Sequence, residues 1–303
     1  MLEFGIGLPV VQQVAAHAQA WEASAGSAEL LAIARAADRL GYRWLGCSDH
    51  VAIPASAAPA MGATWYEPAT TLAYVAAATD RIRLLAHVLV LPYRHPLLAA
   101  KMFATLDALS GGRVIIGTGS GHLRPEFRSL GIDAEARAAM SDEYLQAIAA
   151  ALEQEVSSFA GRFVQWRDMM VAPRPVQRPR PPLWVGGNTV PVAQRAGRHA
   201  DGWIPWQIDL GVFASHARAA HDAYRQSGRT GRFTVVAPLA AGRVEHAAAL
   251  VDGIAAWRAA GAGAFHVGFH HHSCADMIEL LERFAHDVVA PAQQLPPAAD
   301  DRG

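Results

Sequence analysis

The stretch "RIRLLAHVLVLPYRHPLLAAKMFATLDALSGGRVIIGTGSGH", residues 81–122, holds two short apolar runs on either side of one helical segment. Arg81–Leu89 is Leu- and Val-rich and short, the pattern of a strand covered on both faces. Pro96 suits the first turn of a helix, where a missing N–H costs little, and Gly111-Gly112 stops that helix. Arg113–Gly117 is the next strand. A helix between two strands is the crossover that parallel pairing requires, so this unit decides the fold class.

Outward from this unit the alternation repeats. Phe4–Pro9, Arg43–Ser48, Pro182–Val185, Gly202–Pro205, Phe233–Pro238 and Ala264–Phe269 read as further strands. Helices are expected to begin near Ser27, Pro68, Met140, Val190, Leu210, Glu245 and Cys274. Eight strands each followed by a helix specify an α/β protein, a (β/α)8 TIM barrel over residues 1–290. A doubly wound open sheet is the rival, and the even count and the chain length of 303 residues favour closure. The stretch from His122 to Arg180 is long for one βα unit and reads as an insertion after strand four. It carries a helix over Met140–Glu155 and then a segment whose five prolines forbid helix and central strand, expected to form a surface hairpin or extended arm. Residues 291–303 are expected to be a disordered tail.

Composition narrows the function classes. Hydrophobic residues make up 52% and charged residues 17%, enough for a sizeable core. A net charge of −1 without blocks of one sign argues against nucleic acid or a membrane surface as partner. No apolar run reaches transmembrane length. Cys47 and Cys274 form no CxxC motif, so no disulfide framework is expected and a reducing cytoplasm fits.

In a barrel of this kind the chemistry sits where the strands end. There the sequence places Asp49-His50, His87, "GTGSGH" (117–122), "GGNT" (186–189), Trp203, Trp206 and "HVGFHHH" (266–272). "GTGSGH" removes side chains at alternate positions, so a flat ring or a phosphate can approach the backbone; its spacing is not that of a dinucleotide fingerprint. In "PPLWVGGNTVPVAQRAGRHADGW" (181–203), Gly186-Gly187 turns a short strand into a helix capped by Asn188 or Thr189. Such a corner suits a phosphate, and an ordinary strand-to-helix turn is the plainer alternative. Asp49-His50 could be an acid/base pair, although strand neighbours point to opposite faces, and Asp49 could simply cap the following loop. His270-His271-His272 do not converge on one point, so an exposed loop tract and no metal site are expected.

Four segments, "LGYRWLGCSDHV" (40–51), "WYEPATTLAYVAAATDRIRL" (65–84), "VLPYRHPLLAAKMFATLDALSGGRVIIGTGSG" (90–121) and "PVQRPRPPLWVGGNTVPVAQRAGRHADGW" (175–203), resemble the bacterial luciferase-like family. The match is closest to its branch of coenzyme F420-dependent oxidoreductases and runs from Phe4 to about Val289. The resemblance implies a barrel holding F420, an 8-hydroxy-5-deazaflavin, or alternatively FMN. It implies that Asp49 and His50 lie by the ring and that a non-proline cis peptide at His87-Val88 backs it. Gly117, Thr118, Gly119, Ser120 and Gly121 would flank the cofactor, and Gly186, Gly187, Asn188 and Thr189 would bind its phosphate. Related sugar-phosphate dehydrogenases carry a Glu after the Gly-rich turn, where this chain has His122, so their substrate does not transfer.

The expected activity is hydride transfer between F420 and a small organic substrate. His50 and His122 would be the catalytic proton relay, with Trp65, Tyr66, Trp203 and Trp206 on the substrate side. Val11–Gly26 would serve as a lid, and a homodimer is expected. An FMN-dependent monooxygenase fed by a separate reductase, and a non-catalytic cofactor-binding protein, are the alternatives.

Overall fold

The computed structural model describes residues 1–295. Eight strands, β1 (Glu3–Gly7), β2 (Trp44–Cys47), β3 (Arg83–Val90), β4 (Val114–Gly119), β7 (Leu183–Gly186), β8 (Gly202–Ile204), β9 (Thr234–Gly242) and β10 (Ala264–Phe269), close into a barrel in chain order. Every pairing is parallel, including the β1–β10 closure that aligns Phe4 with Phe265. The expected (β/α)8 architecture is therefore present, and the open-sheet rival is excluded. The main surrounding helices are α1 (Ser27–Arg39), α3 (Pro68–Ala76), α4 (Pro96–Leu109), α6 (Arg137–Glu153), α7 (Val190–His199), α8 (Leu210–Gln226), α9 (Ala247–Ala259) and α10 (Cys274–Phe284). Their starts follow local signals. Glu67 accepts from the amides of Ala69 and Thr70 ahead of α3, and Pro68 and Pro96 fill first turns.

The insertion after β4 contains the short helix α5 (Arg124–Ser129), then α6 and an antiparallel hairpin, β5 (Ser157–Ala160) and β6 (Gln165–Met169), outside the barrel. Glu143 on α6 accepts from the amides of Arg162, Phe163 and Val164, which fixes the hairpin turn against the helix. The segment expected to be a tail begins instead as a helical turn, Ala290–Ala292, and Gln293 brackets the backbone of Leu2 with two hydrogen bonds of 2.8 Å. Residues 296–303 lie outside the described residues.

The barrel interior is plugged by Trp44, Leu85, Ile115, Trp184, Ile204, Val236 and Ala264. Trp44 meets Trp184 edge-on with ring centroids 5.3 Å apart. It lies so close to β1 that a Cβ at Gly5 would come within 2.2 Å of its ring. Above the plug, Trp44 Nε1 donates to His266 Nδ1 at 3.1 Å. The His266 ring lies 4.4 Å from His87, which in turn lies 6.2 Å from Trp206. A column of rings thus runs from the amino-terminal end of the barrel to its carboxyl-terminal mouth.

Candidate active site at the carboxyl-terminal mouth

β2 ends at Cys47, and the backbone beyond it sends Asp49 and His50 to different partners. His50 Nδ1 lies 2.7 Å from Glu126 Oε2. Glu126 comes from α5, and its carboxylate is almost wholly enclosed, with its side chain 1% exposed. Its Oε2 also accepts from Tyr93 Oη at 2.7 Å, while Oε1 accepts from the amides of Val51 at 2.5 Å and Ala52 at 3.1 Å. Burial works against the charged form, but the donors Tyr93, His50, Ala52 and Val51 outweigh it and hold the carboxyl below the usual carboxylate range. A charged Glu126 leaves His50 Nδ1 as the donor and Nε2 as the free ring nitrogen. Trp65 packs against His50 at 4.4 Å between centroids, and the exposed His122 stands 5.7 Å away. Burial and the neighbouring His50 push the His122 imidazole down, against a weaker pull from Glu126.

Asp49, which the resemblance would place beside a cofactor ring, has its carboxylate committed to protein groups. It is buried and grips Arg94 with both oxygens, at 2.7 and 2.9 Å, and accepts from the amide of Val90 at 2.8 Å. It clamps the end of β2 to the end of β3, the structural capping role left open by the sequence. Cys47 is buried, its thiol pushed up to about 12 chiefly by burial, so it supplies no thiolate.

Between Ala86 and Leu89 the β3–β4 register slips, and the His87–Val88 peptide there is cis. Val88 wedges between β4 and β7: a Cβ at Gly119 or at Gly186 would each come within 2.6 Å of its side chain. These two glycines therefore make room for protein, and Gly117, whose Cβ would meet the Ala86 carbonyl at 2.3 Å, does the same. Thr118 is buried and donates to the Trp184 carbonyl, and Ser120 is 3.4 Å from Arg195. Gly121 takes a φ of +72° and abuts Val90 and Phe127. Of the Gly-rich turn, residues 117 to 119 are thus strand packing. His87 lines the mouth as a neutral base, its imidazole pushed down to about 4 by burial, and His266 beneath it is also held well below the ordinary imidazole range by burial and by His87.

β4 and β7 pair in parallel, so the Gly119 and Gly186 ends open at the same end of the barrel. Gly187 turns with a φ of +133°, and α7 begins after Thr189, whose side chain makes no capping bond, with Pro191 in its first turn. Thr189 stays exposed beside first-turn amides that lack acceptors within the helix. Asn188 bridges to the next strand instead, accepting from the Trp206 amide at 2.8 Å and donating to its carbonyl. It positions Trp206, whose exposed ring faces both His87 and His17. Tyr66 is at the exposed rim. Trp203 is not on the substrate side: it is fully buried, stacks on Phe213 at 5.4 Å and donates to the Gly187 carbonyl at 2.9 Å, supporting the corner from behind.

Two further expectations are corrected. The Val11–Gly26 segment is fastened rather than free: buried Glu22 accepts from the amides of Val10 and Gln19, and Gln12 forms an antiparallel bridge with Trp65. His271 is buried and accepts from Trp21 Nε1 at 2.9 Å, so only its neighbours His270 and His272 are exposed.

The sequence profile of the luciferase-like monooxygenase family matches residues 2–297, and the chain belongs to that family. An uncharacterized protein of Mycobacterium tuberculosis is 31% identical over 268 residues, covering 84% of this chain and 92% of that protein. An FMNH(2)-dependent dimethylsulfone monooxygenase of Pseudomonas putida is 33% identical over 163 residues, 53% of this chain and 44% of that enzyme. Among solved structures, an F420-dependent secondary alcohol dehydrogenase in complex with an F420-acetone adduct superimposes with a TM-score of 0.78 over 97% of this chain and 99% of that chain, at 15% identity. The family's members are oxidoreductases and monooxygenases, and similar proteins include both F420- and FMN-dependent enzymes. Among the described residues no helix is long and apolar enough to cross a membrane, and no group of three or more His, Cys, Asp or Glu side chains is arranged to hold a metal ion.

Proposed function

We propose that the protein transfers a hydride between the deazaflavin F420 and a small, uncharged alcohol or carbonyl compound. The observation that carries this reading is His50, an imidazole at the mouth whose Nδ1 is committed to a buried carboxylate and whose Nε2 is free. Oxidising an alcohol or reducing a carbonyl moves a proton on or off oxygen as hydride moves on carbon, and a positioned imidazole supplies that proton. F420, when bound, supplies the carbon centre that gives or takes the hydride. The residues present fit such a group: the Gly187 corner and the α7 start for a phosphate, and His87, Val88 and Trp206 as a neutral, ring-rich bed.

In the carbonyl-reducing direction, His50 Nε2–H donates to the substrate oxygen as negative charge develops there. Glu126 stabilises the cationic ring that precedes this transfer and keeps Nδ1 protonated after it. His122 is the second relay candidate, and its lowered basicity suits it to pass a proton to solvent rather than to hold one. Trp65 and Trp206 flank the reacting site and exclude water. Arg94 is engaged by Asp49, which favours an uncharged substrate over an anionic one.

The test is a pair of cofactor titrations followed by turnover on a panel of alcohols and ketones. F420 is expected to bind more tightly than FMN, and its redox state to change with a substrate and without oxygen uptake. Preference for FMN with oxygen consumption would replace this reading with the monooxygenase, the alternative favoured by the Pseudomonas putida relative. Tight F420 binding with no turnover in the panel would instead indicate a cofactor carrier.

A further inference from the structure

The amino-terminal end of the barrel contains a cavity of about 450 Å³, opposite the mouth and floored by Ile115 and Trp184. That size falls within the range of small-molecule sites. Six arginines line it: Arg43, Arg83, Arg178, Arg180, Arg229 and Arg232, with Glu3, Glu153 and Asp201 as the acidic lining. Six cations against three carboxylates leave an excess of three positive charges.

The excess is local. Arg180 is neutralised by Glu153 and Asp201, and Arg229 shares Asp201. Arg43 and Arg232, by contrast, both approach one oxygen of Glu3, at 3.2 and 3.0 Å. Among the described residues Arg83 bonds only neutral acceptors, the Val114 carbonyl at 3.0 Å and Gln177 Oε1 at 2.5 Å. Among the same residues Arg178 bonds only the backbone carbonyls of Pro175 and Gln177. Asp107, the carboxylate behind Arg83, is buried and engaged by Gln177 and the Val114 amide. Burial first, and then the like charges of Arg43 and Arg232, pull the Arg83 guanidinium down to about 10, against Glu3 and Asp107. A seal built of ion pairs would balance its charges; this one sets four guanidiniums, of Arg43, Arg83, Arg178 and Arg232, against the single carboxylate of Glu3 beside an open space.

We infer that this cavity is a second ligand site, remote from the mouth, for a compact polyanion bearing two or more phosphate groups. Guanidinium forks match phosphate oxygens in pairs, and a polyanion supplies the charge that Glu3 alone does not. The inference stands whether or not the mouth takes F420.

Pyrophosphate is the probe, titrated calorimetrically into the full-length protein at low ionic strength with inorganic phosphate as comparison. Pyrophosphate is expected to bind at one site, at least tenfold tighter than phosphate, and to weaken steeply with salt. Arg83→Gln and Arg232→Gln should each weaken it at least tenfold. Arg178→Gln, at an exposed position with only backbone partners, should weaken it also and guards against a folding defect in the first two. Thr189→Ala at the mouth should leave it unchanged. No binding to the folded wild-type protein, wild-type affinity in all three arginine variants, or loss confined to Thr189→Ala would each overturn the inference.

Discussion

At the mouth of the barrel the polar groups are the imidazoles of His50, His87, His122 and His266, set among indoles, with the carboxylate of Glu126 enclosed behind them. At the opposite end they are six arginines and three carboxylates around an open cavity. The two ends share the same eight strands and the same Trp44–Trp184 plug between them. The difference lies in protonation. The mouth is built of imidazoles, groups able to take up or release a proton, and desolvation holds two of them neutral. The opposite end is built of groups that stay charged. One end is suited to moving protons and the other to holding charge.

Removing the imidazole should break this contrast most visibly. His50→Ala is expected to lower kcat on an active alcohol or ketone by about 10²- to 10⁴-fold while cofactor affinity changes little. Stopped-flow turnover beside a cofactor titration checks it, and an unchanged rate would remove His50 from the chemistry.

Arg94→Met comes next, because it leaves Asp49 buried and short of its cation. A loss of about 3 kcal/mol in urea unfolding is expected, far above that of a surface pair. Glu126→Gln should keep the fold and lower kcat by about 10²-fold, since an amide no longer enforces the His50 tautomer. Steady-state kinetics distinguish this from mere loss of packing: kcat should fall while KM and cofactor affinity stay near those of the wild type.

The pH dependence of stability sharpens the comparison further. His87 is neutral in the fold, its pKa pushed from the ordinary imidazole range to about 4. The unfolded chain therefore binds a proton that the folded chain refuses. That stability is complete above about pH 6.5 and is lost as pH falls toward 4, by on the order of 2–3 kcal/mol. His87→Gln should flatten the slope in this window, whereas Arg83→Gln at the other end should leave it unaltered. The smallest effect is expected at the exposed Arg39–Glu282 pair, where Arg39→Ala should change unfolding free energy by less than about 1 kcal/mol.

The barrel was legible because it is written locally. Apolar runs, first-turn prolines and terminal glycines recur along the chain, and six of the eight main helices begin at the expected residue. The site was legible in part, because its partners are distant in sequence. His50 stands out by position, but Glu126 lies 76 residues away on a six-residue helix with no periodicity to announce it. Related enzymes carry a Glu in the slot of His122; the enclosed glutamate of this chain stands four residues later, at the third position of α5. Asp49 looked like half of an acid/base pair because Arg94, 45 residues on, cannot be paired with it by spacing. Trp203 was misassigned for a simpler reason. β8 has three residues, and so short a strand gives no parity from which to decide whether its centre faces the barrel axis or the helices.

Val88 occupies space vacated by glycines on two different strands, so residues 88, 119 and 186 cannot vary independently. An alanine at Gly119 or Gly186 collides with an isopropyl group that only a prior Val88→Ala change would clear. Remodelling this wall of the pocket is therefore eased when the valine is shortened first, and one branched side chain couples the histories of two strands.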